Sequence, residues 1–205
     1  MAFIKVAALT ISAGAYALAG GIGPVPQHLA VYVTRQGDVS PMISNGAAKL
    51  TVKIFAKIGV DLEWHWGDPL PNALIEEQPI LVTLLNDEGT GARPGVFAYA
   101  TPYEGAHTTV LYQRIARAHP EPYETQVVLA YVLVHEITHL LQGIARHSDT
   151  GIMKTQWGRA DVWAMRNGKL TFEPIDVGLI RDGLAARASL ASRRETLTAA
   201  AGGGF

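Results

Sequence analysis

His135-Glu136-Ile137-Thr138-His139-Leu140-Leu141-Gln142-Gly143-Ile144-Ala145-Arg146-His147 is the stretch that decides how this chain is read. Two histidines four residues apart on a helix sit about 40° apart in projection and about 6 Å apart along the axis, so both imidazoles can reach one ion. That geometry suits zinc, and Glu136 beside the first histidine is placed to act as general base on a zinc-activated water without joining the inner coordination sphere. A catalytic zinc takes three protein ligands and keeps its fourth position open. The pair is one short, and His147 is the candidate third.

The surroundings support a helix. Tyr123 to Val134 follows Pro120 and Pro122, contains no Gly or Pro, and repeats Val127, Val128, Tyr131, Val134, Thr138 and Leu141 at helical intervals. The motif therefore falls on a predicted buried helix. Gly143, four residues after His139, can end it through a left-handed cap and turn the chain back toward the metal.

With those residues in view the chain resembles the metzincin metallopeptidases, whose signature is H-E-x-x-H-x-x-G-x-x-H followed by a methionine-containing turn. The spacing here is longer, H-E-x-x-H-x-x-x-G-x-x-x-H, with the glycine one residue later and the third histidine two later. Ser148-Asp149-Thr150-Gly151-Ile152-Met153 then places Met153 where the Met-turn belongs. The serine after His147 is similar to the matrixin branch, and the whole is similar to small bacterial proteins predicted to be secreted metallopeptidases. The resemblance spans roughly residues 28 to 185 and implies zinc held by His135, His139 and His147, with Glu136 as the base and peptides or proteins as substrates. Two alternatives stay open: a gluzincin-like hydrolase whose third ligand is Asp161 or Glu173, and a non-catalytic zinc-bound module of the cell envelope.

Composition sets limits. The 205 residues suit a single catalytic domain, and a net charge of -1 with scattered lysines and arginines provides no basic stripe for nucleic acid. There are no cysteines, so neither thiolate ligands nor disulfides are available. Met1 to Lys5 supplies a positive start, Val6 to Leu18 is largely apolar, and Ala17-Leu18-Ala19 offers a small-x-small cleavage site. Residues 1–19 are expected to be a signal peptide, 20–190 the metallopeptidase domain and 191–205 a mobile tail. The expectation is a secreted or periplasmic monomer with no stable membrane insertion after cleavage, with an uncleaved membrane anchor as the alternative.

Between these ends the pattern predicts strands at His28–Thr34, Val60–Trp66, Pro79–Leu85, Gly95–Thr101 and Thr108–Ile115, and helices at Pro41–Lys57 and Glu173–Ala188, with Thr171 as the second helix's N-cap. Trp157, Val162, Trp163 and Met165 are expected to pack over the lower cleft. Asn86–Gly91 and Pro102–Gly105 are predicted loops. The resemblance implies an α+β fold: a twisted mixed sheet of about five strands on two helices, and a small C-terminal part with the Met-turn and one helix. Gly95–Thr101 would be the edge strand along which an extended peptide adds. His65, between Trp64 and Trp66, reads as part of an aromatic strand, and Tyr103 and Tyr112 are assigned no role.

Overall fold

The computed structural model describes residues 27–72, 78–87, 95–100 and 106–202. In chain order these form β1 (Gln27–Gln36), α1 (Pro41–Ala56), β2 (Val60–Trp66), β3 (Ile80–Leu85), β4 (Ala98–Ala100), β5 (His107–Leu111), α2 (Tyr112–Ala118), α3 (Pro122–Gln142), α4 (Arg159–Arg166) and α5 (Pro174–Gly202). The signal segment, the Pro102–Gly105 turn with Tyr103, and part of the Asn86–Gly91 loop lie outside the described residues. None of the described helices is long and apolar enough to cross a membrane.

The five strands run in the order β2-β1-β3-β5-β4. All neighbours are parallel except β4, which pairs antiparallel with β5 at one edge. Alternation along each strand turns Leu29, Val31 and Val33 of β1, Val60 and Leu62 of β2, and Ile80, Val82 and Leu84 of β3 into one buried layer. Helices α1 and α3 pack against each other over this core. Ser40 caps α1 ahead of Pro41, and Gly59, at φ 80°, makes the turn into β2.

The sheet and its two helices are as expected, with several local differences. The strand expected to reach Ile115 stops at Leu111, and Tyr112–Ala118 is helical. Thr108, Thr109, Val110 and Leu111 are all buried, so β5 is covered on both faces and shows no alternation that would mark its end. At the other end of the chain, Thr171 is not the cap of the last helix. Its carbonyl accepts the Ile152 N–H at 3.0 Å, and the helix opens one residue after Glu173, whose carbonyl accepts from Asp176 and Val177. The C-terminal part also holds a second helix, α4, that periodicity did not mark because it is only eight residues long.

Helix α3 is the axis of the molecule. Every residue from Val127 to Leu141 is buried, the condition of a helix surrounded by other elements. Its entry is fastened by Glu121, whose carboxylate accepts the N–H groups of Tyr123 and Glu124, with Pro122 at the first helical position. Its exit is Gly143, at φ 63°, with the glycine N–H on the His139 carbonyl.

Two contacts tie the C-terminal helices to α3. Arg166 of α4 bonds Glu124 at 2.8 Å, and Glu124 also accepts from His119 at 2.8 Å. On α5, Gly183 lies so close to the Leu141 carbonyl that an added Cβ would overlap the oxygen and stand 2.7 Å from the carbon. Gly183→Ala must therefore push two helices apart, and thermal denaturation should show a loss of about 1–3 kcal/mol. The hydrogen bond from His119 holds the Glu124 carboxyl below its ordinary value of 4.5, burial opposes that shift, and Arg166 reinforces it. A depressed folded value means that the stabilisation is complete above pH 4.5 and is lost as pH falls through the folded value. Glu124→Gln should be less stable than the parent by about 1 kcal/mol at neutral pH, with the difference closing in denaturation curves taken below pH 4.5.

Candidate metal centre

The centre is assembled from three short pieces: the last turns of α3, the loop after Gly143, and the turn at Gly151–Met153. His135, Glu136 and His139 are buried on α3, and the left-handed residue Gly143 brings His147 back over them. One ligand atom from each of His135, His139 and His147 lies within 4.8 Å of the other two. No other group of three potential ligands is found among the described residues.

Hydrogen bonding sets the imidazole tautomers. His135 Nδ1 lies 3.0 Å from the Ile152 carbonyl, and His139 Nδ1 lies 3.2 Å from the Ile144 carbonyl. A carbonyl only accepts, so both Nδ1 atoms carry the proton and both Nε2 atoms present lone pairs. Those two Nε2 atoms are 3.0 Å apart. Facing lone pairs at that distance repel unless a cation or proton sits between them. Two nitrogens at tetrahedral positions about 2.0–2.1 Å from zinc would be about 3.3–3.4 Å apart. The donor set and spacing fit that ion. The His147 ring stands 5.4 Å from that of His135 and 4.9 Å from that of His139, and its Nε2 is buried without a partner.

Burial lowers the affinity of all three imidazoles for protons: His135 lies well below the usual histidine range, His139 falls to about 4, and His147 is also lowered. The Arg146 guanidinium adds to the shift at His147, while the Ile152 and Ile144 carbonyls partly oppose it at His135 and His139. At neutral pH the three are therefore neutral, which is the form that binds metal. Glu136 is moved the other way, to about 8, by burial. Neither of its carboxylate oxygens has a hydrogen-bond partner among the described residues. An isolated buried carboxylate is costly, and a divalent cation held by the adjoining histidines would favour its ionised form.

The Met-turn supports this centre through its backbone. The Ile152 carbonyl that orients His135 belongs to it, Ile152 and Met153 are fully buried, and the Met153 carbonyl accepts the Ser148 N–H at 2.8 Å. Gly151, at φ 74°, passes so close to the Thr171 carbonyl that a Cβ would come within 2.6 Å of its oxygen. Met153 itself is fully buried in this turn. The other two carboxylates considered as ligands are engaged elsewhere. Asp161 accepts from Lys154 at 2.7 Å and from the Gly158 N–H, while Glu173 accepts from the Thr150 hydroxyl.

One member of the arrangement was not foreseen. Asp176 of α5 is fully buried and accepts from the Ser148 hydroxyl at 2.9 and 3.0 Å and from Arg146 at 2.5 Å. It grips the residues on both sides of His147. The sequence did carry a sign of it, since Asp176, Ile180 and Leu184 repeat every four residues on one stripe of α5 and all three are buried. An acid on an apolar stripe marks a paired, buried charge.

The three-histidine centre is carried on an α+β fold in which a five-stranded mixed sheet backs the helix bearing His135 and His139. No protein-family model matches the sequence, and no curated protein matches it. Among solved structures, archaemetzincin from Methanopyrus kandleri superposes with a TM-score of 0.54 at 15% identity, over 80% of this chain and 99% of that one. A zinc-dependent peptidase from Methanocorpusculum labreanum superposes with a TM-score of 0.50 at 14% identity, over 75% of this chain and 99% of that one. The chain thus shares their fold.

Because Asp176 positions His147 from both sides, Asp176→Asn should weaken zinc retention by about 10–100-fold. Competition with a chromogenic chelator would measure it.

Proposed function

We propose that this chain is a zinc-dependent peptidase in which His135, His139 and His147 hold a single ion and Glu136 is the catalytic base. The observation that carries the reading is the convergence of three neutral imidazoles beside a buried carboxylate with no partner. Asp161 and Glu173, the acidic alternatives for the third position, both have other partners. The names of the structures sharing this fold support the same class of reaction.

Zinc bound there would polarise the scissile carbonyl and acidify the attacking water. The protein's part is proton management and placement. Glu136 accepts the water's proton and returns one to the leaving amine, so the carboxylate ends as it began. The carbonyls of Ile152 and Ile144 hold two of the imidazoles in the ligating tautomer. Strand β4 closes one side of the sheet with its outer edge unpaired among the described residues, and an extended peptide can add there by main-chain hydrogen bonds.

The apolar N-terminal segment with its small-x-small site supports export, so we place the working enzyme outside the cytoplasm. The substrate class is peptides or proteins.

Glu136→Gln should keep its zinc, measured by elemental analysis, yet cleave a quenched fluorescent peptide library about 10²–10⁴-fold more slowly than the parent. Parent-level cleavage by that variant would remove Glu136 from its role. His147→Ala should lose zinc on dialysis, and a stoichiometric, tightly held metal in that variant would move the third ligand elsewhere.

A further inference from the structure

Beside the centre lies a cavity of about 910 Å³, bounded by Phe97 ahead of β4, by His119, Glu124 and Val128 at the start of α3, and by the segment from Trp157 to Arg166. Trp157 joins the two regions. Its ring stands edge-on to His135 at 5.5 Å, and it forms part of the cavity wall. A peptide paired along β4 would pass Phe97 and could send side chains into this space.

The charges around the cavity do not balance. Arg166, Glu124 and His119 satisfy one another in the hydrogen bonds already described. Arg159, the first residue of α4, borders the same space, is exposed, and has no ion-pair partner among the described residues. Of the acidic and guanidinium side chains lining it, Arg159 and Arg166 face one carboxylate, Glu124, which leaves one positive charge in excess. The indole N–H of Trp157 is a second donor without a partner. Trp163 presents an exposed indole to the same cavity, with the Lys169 ammonium 4.9 Å from its ring centre. Aromatic walls with uncommitted donors and net positive charge suit an acceptor-bearing, anionic group.

We propose that Arg159 makes the enzyme selective for peptides carrying a carboxylate on the Trp157 side of the cut. This rests on the peptidase reading above. Arg159 follows Trp157 by two residues, and neighbouring Cα atoms are about 3.8 Å apart, so the carboxylate must lie within about three residues of the scissile bond. It can be an aspartate or glutamate side chain or the peptide's own C-terminus. An aromatic or long aliphatic residue between the cut and the carboxylate would fill the space between Phe97 and Trp163.

The test uses zinc-loaded protein and matched peptides differing in one group: glutamate against glutamine at each of the three positions on either side of the cut, and a free C-terminus against its amide. The expected kcat/KM is roughly five- to tenfold higher for the acid of at least one pair, carried mainly by KM, in line with a partly exposed guanidinium–carboxylate contact. A glutamate preference identifies a side-chain ligand and an endopeptidase pattern, while a free-acid preference identifies a C-terminal one. Arg159→Gln should bring the ratio to about one, and Arg159→Glu should reverse it in favour of lysine-containing peptides, which a merely structural role would not do. Equal cleavage of every pair by the parent, or ratios unchanged in both variants, overturns the proposal while leaving the peptidase reading intact. If no peptide is cut, the peptidase reading fails separately, and the pocket is judged by binding. Titration of Glu136→Gln protein followed by tryptophan fluorescence should then show tighter binding of the acid peptides, and equal binding of acids and amides, or none, overturns the proposal.

Discussion

The interaction on which the rest depends is the enforced approach of two imidazole lone pairs on the buried length of α3. His135 and His139 each give their Nδ1 proton to a backbone carbonyl, and their Nε2 atoms are left 3.0 Å apart. Among the described residues no side chain is seen to relieve that opposition. A cation held there would turn repulsion into coordination and would also favour the ionised form of the Glu136 carboxylate one residue along. Burial elsewhere in α3 is ordinary hydrophobic packing; here it concentrates polar groups whose compensation must come from a ligand.

Around that pair the fold supplies position. The sheet holds α3 against α1, the left-handed turn at Gly143 returns the chain, and the Met-turn carbonyl aims His135. His147 is held at the greatest distance along the chain from the sheet, in a loop longer than the usual metzincin spacing. The structure answers that added length with Asp176, which reaches from α5 to both Arg146 and Ser148. A longer loop has more conformations to lose, and a buried carboxylate binding on both sides of the ligand limits them. The close contact of Gly183 with the Leu141 carbonyl brings α5 near enough for that reach.

Much of this was legible from residue order alone. Strict alternation in Val60–Trp66 and helical repetition before His135 marked β2 and α3 almost to the residue, because one face of the strand and all faces of the helix are buried. The three converging histidines were legible because metal chemistry tolerates few spacings. Less visible were elements shaped by tertiary context. β5 is covered on both faces and passes directly into α2 at Tyr112, so its end carried no pattern, and α4 is too short for periodicity. The carbonyls of Ile144 and Ile152 have no side-chain signature. Asp176 was visible only as an acid on an apolar stripe, whose partners lie 28 and 30 residues away.

The most direct measurement is the zinc X-ray absorption spectrum of the metal-loaded protein, taken with and without a hydroxamate, which coordinates an open zinc site. Three imidazole nitrogens at about 2.0–2.1 Å and a non-protein oxygen, with the oxygen shell altered by the hydroxamate, is the predicted result. A closed shell of four protein ligands that the hydroxamate leaves unchanged, or only two histidines with a carboxylate in the third place, would contradict the three-histidine centre.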